Sequence, residues 1–149
     1  MFDKKNLNDE GFHERALDEA QKIYSKPSTR KGRTLETIVE TVKYGHTAEW
    51  FLIQEKGYTD NPEEFNDVID PDGEWVEIKC TKIQQYIPSV LQRLNEHRRR
   101  LEQWKKPVFN KALIFTNVPD QDTYYKLGGY YEWNGFNFIE KTCLHLLKS

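Results

Sequence analysis

The chain has few of the residues and patterns that mark secreted, membrane-spanning or zinc-binding proteins. Its two cysteines, Cys80 and Cys143, are too few for a disulfide framework and favour a reduced, intracellular setting. No apolar run approaches the roughly 20 residues of a membrane-spanning helix, and the polar N-terminus does not resemble a signal peptide. The four histidines lack zinc-like spacing. We therefore expect a cytoplasmic location, no membrane partner and no zinc site.

Other absences exclude further classes of protein. The sequence has no internal repeat, low-complexity tract, glycine-rich phosphate loop or recognisable Ser-His-Asp arrangement. A length of 149 residues suits one domain with a single hydrophobic core. We expect residues 34–149 to form that core and residues 1–33 to form a loosely packed or helical N-terminal arm.

The net charge of −2 conceals a strong segregation of charge along the chain. Residues 55–74 carry eight acidic residues against one lysine. Residues 22–33 carry five basic residues and no acid, and residues 93–106 carry six basic residues against two glutamates. Cations that hold phosphates beside carboxylates that hold a metal would suit cleavage of a phosphodiester bond. Each charged block, taken alone, is equally typical of an ordinary solvent-exposed surface.

Residues 66–79 contain the most informative pattern in the chain. Asp70-Pro71-Asp72-Gly73 is a strong turn signal, because proline presets φ and glycine accepts the left-handed conformation that closes a three-residue hairpin loop. With residues 71–73 as the loop, residue 67 pairs with 77, 68 with 76, and 69 with 75. Side chains alternate along a strand, so Asp67, Glu77 and Lys79 are predicted to share one face.

Two carboxylates that face each other across a strand pair need a compensating cation. Asp67 directly opposite Glu77 would be destabilising, and a hard divalent ion such as Mg²⁺ suits oxygen ligands of this kind. Lys79 follows on the same face, where it could hold or activate a nucleophilic water beside the metal. The alternative is a surface hairpin whose acidic residues happen to alternate.

Asp67, followed ten residues later by Glu77-Ile78-Lys79, resembles the signature of the PD-(D/E)XK nuclease superfamily. Residues 45–82 are similar to small type II restriction endonucleases of the PvuII-like kind, although Asn66 stands where the signature has proline. The resemblance implies a restriction endonuclease-like α/β core, with a central mixed β-sheet flanked by helices. It also implies catalytic roles for Asp67, Glu77 and Lys79. Mg²⁺, for which Mn²⁺ could substitute, would be held by Asp67, Glu77 and the backbone carbonyl of Ile78.

The activity that the resemblance implies is a DNA endonuclease that leaves 5′-phosphate ends. A small catalytic domain that cuts both strands normally needs two copies, so we expect a homodimer. A Holliday-junction resolvase, an exonuclease and an RNA-cleaving member of the superfamily stay open as alternatives. From a different class, a non-catalytic nucleic-acid-binding or assembly protein is also open. The sequence is compatible with a role in restriction, in recombination or in the degradation of host DNA by a virus.

A helix is predicted from about Thr34 to Lys56, ended by Gly57. Glu49 falls on its otherwise apolar stripe, where a carboxylate is costly unless it is paired or bound to a cation. A helical glutamate before the sheet often completes the metal site in the nuclease superfamily, and residues 45–49 resemble that element. Glu49 is therefore a further candidate for a catalytic and metal-binding residue. A partly exposed glutamate at the edge of the stripe is the alternative.

Candidate nucleic-acid contacts come from the basic segment after the first helix, the end of the central hairpin, and the basic helix that follows. For that helix, a core-covering crossover with a basic outer face is the favoured interpretation over a recognition helix. The candidates are Arg30, Lys31, Arg33, Lys82, Gln84, Gln85, Tyr86, Arg93, Arg99 and Arg100.

The other segments complete an α/β pattern. The predicted elements are a helix at 10–24, an exposed basic loop or arm at 26–33, a helix from Pro88 to about Trp104, a buried strand at 111–117, a loop or short helix at 120–126, and a hairpin at 130–139 that turns at Asn134-Gly135. The strand–helix–strand order from 74 to 117 predicts a right-handed crossover.

Overall fold

The computed structural model describes residues 2–3, 10–60, 67–118, 121–143 and 146. Within these ranges, four α-helices flank a mixed sheet of seven strands, which confirms the predicted α/β class. The helices are α1 (Glu10–Tyr24), α2 (Pro27–Arg30), α3 (Leu35–Glu55) and α4 (Ile87–Gln103). The strands are β1 (Phe2–Asp3), β2 (Thr59–Asp60), β3 (Asp67–Ile69), β4 (Trp75–Thr81), β5 (Lys111–Val118), β6 (Gln121–Trp133) and β7 (Phe138–Lys141).

The sheet order is β1-β6-β5-β4-β3-β2, and β7 also pairs with β6. The pairing of β4 with β5 is parallel, and the other described pairings are antiparallel. Adjacent parallel strands need a long crossover, and α4 provides it. The predicted strand–helix–strand unit is therefore confirmed. No helix in the described ranges is long and apolar enough to cross a membrane.

Helix α3 begins and ends where the sequence predicts. The Thr34 hydroxyl accepts a hydrogen bond from the Thr37 N–H at its start, and Gly57 follows its end with a φ of +74°. Helix α1 packs on α3 through Ala16 and Ala20. The described part of the N-terminal arm is thus mainly helical and joined to the rest of the domain.

The two faces of the sheet are covered by different helices. On one face, α3 contributes Ala48 and Leu52 to a core with Val76 and Ile78 of β4. On the other face, α4 forms a second core with Trp75 of β4 and with neighbouring strands; this core includes Ile87, Val90, Leu94, Phe109, Ala112, Ile114, Tyr131 and Phe138. Because side chains alternate along β4, Glu77 and Lys79 belong to the α4 face.

Two sequence predictions require correction. The loop or short helix expected at 120–126 is wrong for residues 121–126, which begin the long strand β6; residue 120 lies outside the described residues. Its ladder with β5 has a β-bulge between Ile114 and Phe115, where Gly128 is the extra residue between the paired Leu127 and Gly129. The basic loop at 26–33 contains a single helical turn, α2, which Pro27 opens.

Candidate active site and nucleic-acid interface

The hairpin formed by β3 and β4 has the predicted register. The Asp70 N–H donates to the Glu74 carbonyl at 2.9 Å, and the Gly73 N–H donates to the Asp70 carbonyl at 2.9 Å. Gly73 has a φ of +85°, which is the left-handed conformation that its turn position demands. In the ladder, Asp67 pairs with Glu77 and Ile69 with Trp75. The turn chemistry thus determines which residue stands opposite Glu77.

An ion pair that was not foreseen anchors this turn. The Asp70 side chain is 1% exposed, and its Oδ2 lies 2.6 Å from the Nζ of Lys111 at the start of β5. Its Oδ1 accepts the N–H groups of Asp72 at 3.0 Å and of Glu74 at 2.9 Å. The Glu74 carboxylate also lies 2.8 Å from Lys111 Nζ. One signal could have indicated the pair: a lysine that opens an otherwise apolar strand.

The pKa values of both partners follow from these contacts. Burial acts to raise the pKa of Asp70, but the hydrogen bonds from Lys111 and from the backbone outweigh it, so the pKa lies below its ordinary value. Burial acts to lower the pKa of Lys111, but the contacts with Asp70 and Glu74 outweigh it and raise the pKa. Asp70 is therefore a structural carboxylate that is already neutralised by a lysine.

Glu77 and Lys79 form the part of the candidate site whose side chains the structure describes. Glu77 is 4% exposed, and its Oε1 lies 3.5 Å from the Nζ of Lys79. Along the parallel ladder these residues pair with Ala112 and Ile114, which are both fully buried. A carboxylate in such surroundings is costly without a nearby cation. Lys79 supplies one, while its side chain stays 46% exposed.

Asp67 occupies the ladder position opposite Glu77, and its side chain lies outside the described residues. Among the side chains that are described, no three of His, Cys, Asp or Glu come together as a metal cluster. Mg²⁺ usually takes one or two carboxylates from the protein and completes its shell with water and substrate phosphates. The oxygen donors at Asp67, Glu77 and the Ile78 carbonyl fit such a shell in number and chemistry.

Glu49 is buried on α3, as its place in the apolar stripe predicts, and is 4% exposed. Its Oε1 lies 3.7 Å from the Nδ1 of His46, a neighbour that the three-residue spacing could have indicated. Helix α3 packs against the Val76 and Ile78 face of β4. Glu49 therefore approaches the sheet from the side opposite to Glu77 and Lys79.

A cleft of about 830 Å³ opens between the C-terminal end of β4 and helix α4. Four cations that the sequence singles out separately line it together: Lys79, Lys82, Arg93 and Arg100. Glu96 is the single acidic residue among the described residues of its lining. A concave wall of one sign of charge focuses the electrostatic potential and attracts anions. Because Lys79 both contacts Glu77 and lines the cleft, the cleft is a candidate anion-binding surface beside Glu77.

The remaining candidates for nucleic-acid contact are distributed differently. Tyr86 lines the same cleft, and Gln84 and Gln85 precede it on an exposed 3₁₀ turn. Arg99 donates to the carbonyl of Phe136 at 2.7 Å and so supports the turn between β6 and β7.

The basic segment after α1 is partly occupied by local contacts. The Arg30 guanidinium lies over the ring of Tyr24 at 5.0 Å. Arg33 donates to the carbonyls of Arg30 and Thr29, while Lys31 is exposed in a left-handed conformation. These three residues belong to a surface separate from the lining of the cleft.

A scan against protein-family models and searches of curated proteins and of solved structures found no match to this chain.

Proposed function

We propose that the protein is a Mg²⁺-dependent nuclease with a restriction endonuclease-like core, acting as a homodimeric DNA endonuclease that leaves 5′-phosphate ends. One observation carries the proposal. The buried carboxylate of Glu77 stands opposite Asp67 in the ladder, 3.5 Å from the Nζ of Lys79, and Lys79 lines a cationic cleft. The candidate metal donors and the cations that would bind phosphate are thus joined through β4 and Lys79.

Asp67, Glu77 and the backbone carbonyl of Ile78 would hold Mg²⁺. We leave Glu49 out of this ligand set, because α3 covers the opposite face of the sheet. When bound, the metal supplies Lewis acidity at the scissile phosphate and lowers the pKa of a coordinated water. Mn²⁺ is expected to substitute, because it accepts the same oxygen donors.

The protein side chains contribute positioning and charge. Lys79 can donate a hydrogen bond to the attacking water or to the charge that develops on the phosphate, since its half-exposed ammonium extends from a rigid strand. Lys82, Arg93 and Arg100 can bind the neighbouring phosphates and hold the strand in register. The geometry of the reacting phosphate would then be set by fixed elements of the fold.

The position of Glu77 favours an enzyme over a non-catalytic binding protein. Glu77 offsets part of the positive charge of Lys79 beside the cleft, which weakens the attraction for a polyanion unless a divalent cation lies between the carboxylate and the phosphate. A binding module would therefore lose attraction for phosphate by carrying Glu77 there, while a metal-dependent nuclease would use it as a metal ligand.

The test is incubation of the purified protein with plasmid, four-way junction and RNA, with Mg²⁺ and with EDTA. We expect Mg²⁺-dependent cleavage of the plasmid. Asp67→Asn and Lys79→Met should each lower the rate roughly 100-fold or more, which is the usual scale for losing such a group. Asp72→Asn and Lys141→Met are matched controls on exposed residues and should retain activity.

Full activity in both site variants, or cleavage that persists in EDTA, would contradict the proposal. A marked preference for the four-way junction over linear duplex would identify a resolvase within the same superfamily.

A further inference from the structure

The proposed nuclease function leaves open which form of DNA enters the cleft beside Lys79. We propose that the cleft binds an unpaired stretch of DNA next to the cleaved bond, with a base stacked on Tyr86 and phosphates held by Arg93 and Arg100. This inference rests on the proposed function. It narrows the preferred substrate to DNA with an unpaired segment, such as a flap, a gap, a frayed end or a region of a plasmid that supercoiling has opened.

The size of the cleft is the first argument. Its volume of about 830 Å³ lies within the range of about 300–1,000 Å³ that is typical of small-ligand sites. Such a space suits the sugar, base and phosphate of one strand. A duplex is better matched by an open surface on which a helix or ribbon enters a groove about 12 Å wide.

The cations of the cleft are the second argument. Arg93 and Arg100 lie seven residues apart on α4, which places them on the same side of the helix, about 10 Å apart along its axis. In the described part of the chain, Lys82 and Arg100 have no ion-pair partner, and Arg93 makes one long hydrogen bond of 3.4 Å to the Ser89 carbonyl. These side chains are available to follow a phosphate backbone.

Tyr86 is the third argument and the one that selects an unpaired base. Its side chain is exposed to 51% in the wall of the cleft, at the turn that precedes α4. In a duplex both faces of an internal base are covered by its neighbours, so an aromatic side chain can stack only on a base that has left the helix. An exposed aromatic beside uncommitted cations is the combination that binds single strands.

The experiment measures binding in EDTA, so that it does not depend on cleavage. Fluorescence anisotropy compares a labelled oligothymidylate with a blunt duplex of equal length. We expect the single strand to bind about tenfold more tightly or better, and Tyr86→Ala to weaken its binding by about 5- to 150-fold, which is the range for one lost stacked base. Binding of the duplex should be unaffected by Tyr86→Ala, and Tyr86→Trp should restore binding of the single strand.

A charge control accompanies the aromatic variants. Arg93→Gln/Arg100→Gln should weaken binding of the single strand and reduce its salt dependence, because fewer counterions are released. Lys105→Gln/Lys141→Gln removes the same charge from exposed residues elsewhere and should leave binding unchanged.

Three results would overturn the inference: duplex binding that is equal or tighter, indifference to Tyr86→Ala, or an equal loss in the charge control. The two proposals fail separately. Plasmid cleavage without a preference for single strands would reject this inference and leave the nuclease intact. Tyr86-dependent binding of single strands without any cleavage would support this inference and reject the nuclease function.

Discussion

Replacing Asp70 by asparagine tests whether the turn that aligns Asp67 with Glu77 is held by a buried ion pair. Asparagine keeps an oxygen that can accept the N–H groups of Asp72 and Glu74. Its amide nitrogen, however, would face the Lys111 ammonium in place of the carboxylate oxygen that now lies at 2.6 Å. The substitution therefore removes one negative charge and places two hydrogen-bond donors, the asparagine amide and the Lys111 ammonium, against each other. The size of the side chain does not change.

The expected loss of stability follows from the surroundings of Lys111. Breaking a buried ion pair costs about 3–5 kcal/mol, and a lost hydrogen bond to a charged group costs about 1.5–3 kcal/mol. Lys111 keeps a second carboxylate, Glu74 at 2.8 Å, whose side chain is 57% exposed. We therefore expect a loss at the low end of the range for a buried ion pair, about 3 kcal/mol in the free energy of unfolding. For a domain of this size, that lowers the melting temperature by about 6–12 °C.

Urea unfolding followed by circular dichroism gives the free energy of unfolding, with Asp72→Asn as the control. Asp72 lies 3.7 Å from the same lysine but is 78% exposed, so its replacement should cost less than about 0.5 kcal/mol. If the proposed nuclease activity is present, Asp70→Asn should retain it below its melting temperature, because Asp70 faces away from Glu77. Equal stability of the two variants would refute the structural role of Asp70. Loss of cleavage by a folded Asp70→Asn would refute its separation from the candidate active site.

Two further predictions concern the bulge in β6 and the pH dependence of stability. A Cβ on Gly128 would lie 3.0 Å from the Thr116 Cγ2, so Gly128→Ala should destabilise the fold by about 1–3 kcal/mol in urea unfolding; an unchanged midpoint would contradict the close packing. The lowered pKa of Asp70 stabilises the fold above its ordinary pKa of 3.8, and this contribution is lost as the pH falls through the lower folded value. The raised pKa of Lys111 stabilises the fold below its ordinary pKa of 10.5, and this is lost as the pH rises through the higher folded value. Urea midpoints measured across pH should therefore fall at both ends, and Asp70→Asn should flatten the acid side.

Local sequence signals were sufficient wherever neighbouring residues decide the conformation. Thr34 and Gly57 mark the ends of α3 because a hydroxyl cap and a left-handed glycine act within one turn of helix. The register that places Asp67 opposite Glu77 follows in the same way from the type of turn. These elements were predicted to within a residue or two.

Contacts between distant segments could not be predicted in this way. Asp70 and Lys111 are 41 positions apart, and their contact exists only because α4 returns the chain to pair β5 with β4. The face of the sheet that α3 covers is likewise a property of the packed domain, so Glu49 could be predicted as buried but not placed relative to Glu77. The early part of β6 was missed because its pairing with β5, and not its own pattern, makes it a strand.

The carboxylates of the hairpin differ in role according to the face of the sheet on which they lie. On the α3 face, Asp70 is held at 2.6 Å by Lys111, whose own side chain is 15% exposed; a metal would have to displace that cation. On the α4 face, Glu77 is 3.5 Å from the Nζ of Lys79, a looser contact with a side chain that is 46% exposed and lines the cleft. A lysine in that position can move aside for a divalent ion and remain near the phosphate. Sequence alone does not distinguish the role of Asp70 from that of Glu77. The neighbouring lysine does: the buried Lys111 makes Asp70 a structural residue, and the half-exposed Lys79 leaves Glu77 as the candidate catalytic carboxylate.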